Sequence, residues 1–202
     1  MNKKIKNVCV YCSSSNSLND IYYRDAEILG ELLAKNNYNV VYGGSKLGLM
    51  YKVAKSAKDN GSKVVGVMPA KLYDLGVSEA FCDEFYLTKE MRERKATLDE
   101  KSDAVIALAG GFGTLEELSE MIVQKQLCYN NKAIVILNTN GFYNDLLNFF
   151  EKIISEKFAA KDSKNLYYVA NSPDEVIKYL NSYKFDDTKS QKEELIHNVL
   201  SK

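Results

Sequence analysis

The segment Gly110–Glu117 combines a glycine loop with a threonine and two adjacent carboxylates. Glycines allow the backbone to approach a ligand closely, and the amides at a helix N-terminus attract anions. The segment can therefore hold a phosphate and place a carboxylate beside it. Glu117 lies early in the predicted helix, where an acidic residue also stabilises the helix end without any catalytic role. Taken alone, the segment is only moderately specific for phosphate binding.

A second group of charged residues surrounds Arg94 and Lys95. On a helical wheel, Met91 and Leu98 form a stripe that is predicted to face the core. Arg94 and Lys95 flank this stripe, and a cation beside a buried face is unfavourable unless it is paired. Lysine can extend its ammonium group into water, whereas the planar guanidinium of Arg94 favours a carboxylate or a phosphate. Glu117 is a candidate partner.

Two further loops follow predicted strands. Tyr11–Asn16 is rich in serine, whose hydroxyls can hold an anion or a ribose, although the same loop can merely cap the next helix. Tyr42–Met50 contains adjacent glycines but matches neither the Walker A loop nor the G-x-G-x-x-G fingerprint, so it can equally be a tight turn. We include Ser14, Gly43 and Gly44 among the expected substrate-binding residues.

Short apolar segments alternate with helical segments along the chain. Several apolar segments are continuous, which is typical of strands buried on both faces of a parallel sheet. Strands are predicted at Asn7–Tyr11, Asn39–Tyr42, Lys63–Val67, Glu84–Leu87, Ala104–Ala107, Ala133–Leu137 and Leu166–Tyr168. Helices are predicted at Asp20–Asn36, Leu47–Asn60, Lys89–Lys101, Thr114–Cys128, Phe142–Glu156 and Pro173–Tyr183.

This alternation predicts an α/β protein with a doubly wound parallel sheet flanked by helices, in a single domain over residues 1–184. Ligands of such sheets bind beyond the carboxyl ends of the strands, where the loops described above lie. Residues 185–202 form a polar tail, which can dock on the body or on a second subunit, or can fray. The tail carries a possible helical stripe of Leu195, Ile196, Val199 and Leu200.

The composition excludes several kinds of chemistry. The 202 residues include 27 basic and 27 acidic side chains, so the formal net charge is zero. Such a chain has no general attraction to nucleic acid or to an anionic membrane. His197 is the only histidine, which excludes multi-histidine zinc sites, facial-triad iron sites and most serine-hydrolase arrangements within one chain. Catalysis must depend mainly on carboxylates, cations, thiols, hydroxyls or backbone groups.

The sequence predicts a cytoplasmic protein. We expect no secretory leader, and no apolar stretch approaches the ~18 residues of a membrane span. Cys9 and Cys12 have the C-x-x-C spacing of redox and metal sites. They fall in a predicted strand, however, where residues three apart point to opposite faces. We therefore favour buried apolar roles for both thiols.

Together, these motifs resemble the LOG (Lonely Guy) family of cytokinin riboside 5′-monophosphate phosphoribohydrolases. The family has an M-x-x-R-K element, here Met91–Lys95, followed by P-G-G-x-G-T-x-x-E, here Ala109–Glu117 with alanine in place of proline. The likeness runs from about Val8 to Tyr179 and includes the segment Asn138–Tyr143. It implies a Rossmann-like fold and a homodimer with the active site near the subunit interface. It also implies hydrolysis of the N-glycosidic bond of a nucleoside 5′-monophosphate to free base and ribose 5-phosphate.

The resemblance also implies the roles of individual residues. Arg94 and Glu117 match the catalytic arginine and glutamate of the family, and Lys95 matches a substrate contact. We place Glu116, beside the catalytic glutamate, among the substrate-binding residues as well. No metal and no organic cofactor is required. The phosphate loop of the family corresponds to Gly110, Gly111, Gly113 and Thr114.

The chemistry of these residues supports the same reaction independently. Cleavage of a ribosyl C–N bond develops positive charge on the sugar, and an ionised carboxylate stabilises that charge. Glu117 can supply the negative charge, hold ribose hydroxyls or orient the water, and the sequence leaves these roles open. Arg94 is expected to orient Glu117 and to keep it ionised through its own charge.

Departures from the family pattern leave the identity of the base open. Ser13 and Ser45 stand where glycines are common, and both add bulk near the ligand. The segment Lys71–Asp83 follows the family poorly, so an acidic residue of the family has no clear counterpart there. Asp74 and Glu79 are both possible.

Three other functions are compatible with parts of the sequence. The first is a Rossmann-like protein that binds a nucleotide without catalysis, which would not need both Arg94 and Glu117. The second is an oxidoreductase, although the dinucleotide fingerprint is missing after the first predicted strand. The third is a pyridoxal-phosphate decarboxylase, in which Lys46 or Lys95 would form the Schiff base.

Overall fold

A computed structural model of the chain describes residues 4–78 and 81–185. Glu79, His197 and the apolar stripe predicted in the tail lie outside the described residues. The strands are β1 (Asn7–Tyr11), β2 (Asn39–Tyr42), β3 (Val64–Pro69), β4 (Glu84–Thr88), β5 (Ala104–Ala107), β6 (Ala133–Leu137) and β7 (Tyr168–Ala170). The α-helices are α1 (Asp20–Lys35), α2 (Gly48–Asp59), α3 (Ala70–Tyr73), α4 (Met91–Glu100), α5 (Phe112–Gln126), α6 (Asn144–Ser155) and α7 (Pro173–Ser182).

The strands form one parallel sheet with the order β4-β3-β2-β1-β5-β6-β7. This order confirms the predicted doubly wound α/β architecture. The loops that leave β1 and β5 are neighbours, because the order reverses between these two strands, and ligands of such sheets bind at this reversal. The amide of Ser13 donates to the carbonyl of Ala109 at 3.2 Å and ties the two loops together.

Two apolar cores cover the two faces of the sheet. On one face, α1, α2 and α7 pack on the strands through side chains such as Leu29 and Val53. On the other face, α4, α5 and α6 pack through side chains such as Leu98 and Leu118. Burial on both faces explains why the central strands are continuously apolar rather than alternating.

Cys9 and Cys12 belong to opposite cores, as residues three apart in a strand must. Both thiols are free and buried. Burial raises the pKa of each thiol above its ordinary value, which disfavours the reactive thiolate. The prediction of buried apolar roles is confirmed.

Most predicted elements match the observed ones to within a few residues, but two expectations are wrong. The last strand is Tyr168–Ala170 rather than Leu166–Tyr168, because Lys161–Leu166 forms a 3-10 helix. Met91 is 49% exposed rather than part of the core, because α4 begins at this residue. Arg94 occupies a buried position of that helix instead.

The described part of the chain contains no helix that is both long and apolar enough to cross a membrane. Within residues 4–78 and 81–185, no group of three or more histidine, cysteine, aspartate or glutamate side chains is arranged to hold a metal ion.

The packing of α1 on the sheet predicts the effect of truncating Leu29. Its side chain is fully buried, so Leu29→Ala is expected to lower the free energy of unfolding by about 2–5 kcal/mol, measured by chemical denaturation. Leu75 is a matched control because its side chain is largely exposed, and Leu75→Ala should change the free energy by no more than about 0.5 kcal/mol. Equal losses in the two variants would contradict the placement of Leu29.

Candidate active site

The centre of the candidate site is a buried ion pair between α4 and α5. Nη1 of Arg94 donates to Oε1 of Glu117 at 2.7 Å, and each side chain is only 7% exposed. Nε of Arg94 also donates to the carbonyl of Val67 in β3, at 3.2 Å. The guanidinium therefore joins the sheet to α5 and fixes one oxygen of the carboxylate. The expected pairing of Arg94 with a carboxylate is confirmed.

Gly43, at the carboxyl end of β2, makes room for this guanidinium. A Cβ atom at this position would lie 2.4 Å from Nη2 of Arg94 and 2.9 Å from the sulfur of Met50. Neither separation is compatible with ordinary packing, so any larger residue would displace the arginine. Gly44 lies in a different environment, against the ring of Phe85.

Burial and the neighbouring cation act in opposite directions on Glu117. Burial raises the pKa of Glu117, and the charge and hydrogen bond of Arg94 lower it, with burial the larger effect. The net pKa lies above the ordinary value for glutamate. This differs from the expectation that Arg94 simply keeps the carboxylate ionised. The contact with Arg94 does not fully offset the cost of burying the carboxylate. Additional positive charge beside Glu117 is therefore stabilised.

The N-terminus of α5 presents open backbone amides beside this pair. Among the described residues, the N–H groups of Phe112, Gly113 and Thr114 have no acceptor in the protein. Thr114 is only 4% exposed, and its side chain packs directly against Gly110. The open amides and the positive end of the helix can hold an anion one turn from Glu117, and we refer to this helix end as the α5 anion site.

The N-terminus of α2, by contrast, is already filled by the protein. The amide of Gly48 donates to Oδ1 of Asn16 at 2.8 Å. The amides of Leu49 and Met50 donate to the carbonyl of Ser13 at 2.9 and 3.3 Å. The loop after β2 therefore does not offer the free helix amides that its glycines suggested. Ser14 is exposed in the same β1–α1 loop, which lies next to the α5 anion site.

The ammonium group of Lys95 forms ion pairs with two carboxylates of α5. It contacts the carboxylate of Glu116 and lies 2.7 Å from Oε2 of Glu120. These hydrogen bonds raise the pKa of Lys95 above its ordinary value. A Schiff-base lysine needs a lowered pKa, so this environment argues against Lys95 as the amine of a decarboxylase.

A cavity of about 180 Å³ lies between α4 and α5 and reaches Glu117. Lys95, Glu120 and Gln124 line it together with Tyr11 from the end of β1. Oε2 of Glu117 has no protein partner among the described residues. A small polar molecule in this recess can therefore approach the carboxylate without breaking its bond to Arg94.

One contact that shapes the site is not indicated by any pattern in the sequence. The hydroxyl of Tyr143 donates to the carbonyl of Leu108 at 2.6 Å, directly below the glycine loop. The segment Asn138–Tyr143 is indicated by the family likeness alone, and nothing in its local pattern predicts a contact with the residue that follows β5.

Comparison with known proteins identifies related sequences. A family model described as possible lysine decarboxylase matches residues 50–180. A probable cytokinin riboside 5′-monophosphate phosphoribohydrolase of Oryza sativa subsp. japonica, LOGL2, is 38% identical over 180 residues, covering 89% of this chain and 74% of the rice protein. The cytokinin riboside 5′-monophosphate phosphoribohydrolase LOG1 of Arabidopsis thaliana is 39% identical over 181 residues, covering 89% of this chain and 84% of its own.

Solved structures show the same fold at lower sequence similarity. The molybdenum cofactor binding protein of Rippkaea orientalis superposes with a TM-score of 0.66 at 24% identity, covering 90% of this chain and 98% of its own. The Moco carrier protein of Chlamydomonas reinhardtii superposes with a TM-score of 0.68 at 21% identity, covering 89% and 99% of the two chains. These two likenesses concern the fold alone.

The buried pair predicts a pH-dependent loss of stability in Arg94→Ala. Glu117 then remains buried without its cation, so its pKa rises further above the ordinary value. A carboxyl group with a raised folded-state pKa binds more protons when folded, so the stability it contributes is lost as pH rises through that pKa. We expect Arg94→Ala to lose about 3–5 kcal/mol at pH 8 and clearly less at pH 5, measured by denaturant titration.

The double variant Arg94→Ala/Glu117→Gln is the control for this prediction. Glutamine cannot ionise, so the additional dependence on pH should disappear. An equal deficit of Arg94→Ala at pH 5 and pH 8 would show that Glu117 is not the group responsible.

Proposed function

Because the chain belongs to the LOG family, we propose that it hydrolyses the N-glycosidic bond of a nucleoside 5′-monophosphate. The products are the free base and ribose 5-phosphate. The substrate is a cytokinin riboside 5′-monophosphate, as in the names of the relatives, or AMP. The observation that carries this proposal is the buried carboxylate of Glu117, held at 2.7 Å by Arg94 beside the open amides of α5.

The 5′-phosphate binds the amides of Phe112, Gly113 and Thr114. Hydrogen bonds from amides at a helix N-terminus are strengthened by the charge of the phosphate. Their binding energy places the ribose one helical turn further along, beside Glu117. The phosphate thereby contributes binding energy to catalysis without taking part in the bond cleavage.

Glu117 acts on the sugar at the moment of cleavage. Departure of the base leaves positive charge on the ribose, and a carboxylate already desolvated by the protein stabilises that charge strongly. Oε1 is held by Arg94, which leaves Oε2 for the ribose or for the attacking water. Arg94 orients this carboxylate and does not protonate the base, because its guanidinium does not give up a proton. The proton for the departing base comes from water.

The label of lysine decarboxylase is not supported by the environment of Lys95. Lys95 is paired with two carboxylates of α5, and its raised pKa favours the ammonium form rather than the nucleophilic amine. Lys95 instead supports the site from the side of α4, where the third N–H of its ammonium group can contact the substrate.

Turnover of AMP and of N6-isopentenyl AMP tests the proposal. We expect release of free base from one or both, with kcat/KM for the corresponding nucleoside about 100-fold lower because the anion site is empty. Glu117→Gln and Arg94→Ala should each lower kcat by at least about 100-fold through loss of the positioned charge. Base release is measured by chromatography, and a screen of other nucleoside monophosphates identifies the preferred base.

Glu31→Gln is the matched control because Glu31 lies in an exposed ion pair on α1. Its activity should equal that of the unaltered protein. Tight binding of AMP without any release of base would favour a nucleotide-binding protein without catalysis. Activity that survives both Glu117→Gln and Arg94→Ala would refute the assigned roles.

The enzyme is further proposed to be a homodimer that uses the outer surface of α5 and α6. An apolar recess of about 180 Å³ lies there, lined by residues that include Ile122, Val123 and Phe150. Phe149 and Phe158 are also exposed, and large apolar patches of this kind mark interfaces. A second copy of the chain is an appropriate partner, whereas a neutral net charge favours neither nucleic acid nor a membrane surface.

We also propose that the protein is cytoplasmic. All four cysteines are free thiols, which accords with the reducing conditions of the cytoplasm.

Val123→Asp tests the interface. Val123 is half exposed in the single chain, so a carboxylate there is tolerated by the monomer but is unfavourable in an apolar interface. Sedimentation should show a dimer for the unaltered protein and a folded monomer for Val123→Asp. Leu75→Asp, a change of another exposed residue on a different surface, should leave the dimer intact. A dimer in both variants would exclude this surface as the interface.

A further inference from the structure

We propose that Tyr143 is a positioning residue, whose hydroxyl keeps the amides at the start of α5 open for the substrate phosphate. The inference rests on the proposed function, because it concerns the same phosphate site. Tyr143 lies in the turn after β6 and does not itself reach the substrate. It acts through the carbonyl of Leu108, two residues before the first glycine of the loop, Gly110.

If α5 extended towards its N-terminus, it would make two further backbone hydrogen bonds. In an α-helix each amide donates to the carbonyl four residues earlier. The amide of Phe112 would then bind the carbonyl of Leu108, and the amide of Gly113 would bind that of Ala109. Both bonds would close the anion site, since they would use the amides that the phosphate needs.

Both carbonyls are occupied by donors from other parts of the fold. Leu108 accepts from the hydroxyl of Tyr143 at 2.6 Å, and Ala109 accepts from the amide of Ser13 at 3.2 Å. The first donor is a side chain and the second is backbone, so the first can be removed by a conservative substitution that leaves the backbone unchanged. Because the two carbonyls accept these other hydrogen bonds, the amides of Phe112 and Gly113 have no acceptor among the described residues.

Tyr143 is held firmly enough to act in this way. Its ring is only 4% exposed, and its amide donates to Oδ1 of Asn138 at 2.7 Å. Asn138 is in turn fixed by its own amide, which donates to the carbonyl of Ala170 in β7 at 2.8 Å, and by its side-chain amide, which donates to Asn144 at 2.8 Å. Burial also raises the pKa of the Tyr143 hydroxyl, so the group remains a donor.

Tyr143→Phe removes the hydroxyl and keeps the ring. We expect KM for AMP and the inhibition constant of inorganic phosphate to rise about tenfold, with kcat reduced less than KM is raised. Residual hydrolysis of adenosine should be unchanged, because that substrate makes no use of the phosphate site. A purely structural defect would instead lower turnover of AMP and adenosine together.

Tyr38→Phe is the matched control. The hydroxyl of Tyr38 also makes a hydrogen bond inside the protein, to Oδ1 of Asn181 at 2.7 Å. Tyr38 immediately precedes β2, so it lies at the amino edge of the sheet, away from the phosphate site. Loss of the Tyr38 hydroxyl should leave KM for AMP and the inhibition constant of inorganic phosphate unchanged.

Hydrogen exchange supplies a readout that does not need turnover. Inorganic phosphate should protect the amides of residues 111–114 in the unaltered protein, and about tenfold more phosphate should be needed in Tyr143→Phe. If the unaltered protein does not cleave AMP, the proposed function fails while this measurement still decides the role of Tyr143. Unchanged phosphate affinity in Tyr143→Phe, or no phosphate binding by either protein, would overturn the inference.

Discussion

The buried ion pair between Arg94 and Glu117 is the interaction on which the rest of the site depends. Two charges removed from water are stabilised by good mutual geometry and by further hydrogen bonds to either group. Here the carbonyl of Val67 satisfies the second side of the guanidinium, and Gly43 leaves space for its third nitrogen. The ends of β2 and β3 are thus shaped around one arginine, and that arginine determines where the carboxylate of α5 lies.

The two glycine-containing loops show that similar sequences can have different functions. Both follow parallel strands and both lead into helices, which is the arrangement that favours anion binding. The protein fills the first helix end with Asn16 and Ser13 and leaves the second one open. The difference depends on the β1–α1 loop, which contributes acceptors at α2 and a donor at Ala109. A single loop therefore closes one potential anion site and helps to keep the other available.

Local patterns in the sequence are sufficient to predict much of this architecture. Continuous apolar segments located the strands, and the preference of a guanidinium for a carboxylate predicted the partner of Arg94 across 23 residues. The filled end of α2 and the hydrogen bond from Tyr143 to Leu108 could not be predicted in this way, because each is a contact between distant segments with no shared periodicity. The exposure of Met91 was missed for another reason, since helical phase does not reveal where a helix begins. Lys95 was assigned to substrate by analogy, whereas its contacts with α5 depend on the spacing between two packed helices.

The order of the strands also has a consequence for synthesis of the chain. Arg94 and Glu117 both precede β6, so a growing polypeptide contains the complete ion pair before its sheet is complete. At that stage β5, a fully buried strand in the finished protein, has one edge without a partner. Unpaired apolar edges readily associate with other chains. The nascent chain therefore exposes an apolar strand edge, open to association with other chains until β6 pairs with it, while the residues of the Arg94–Glu117 pair are already present.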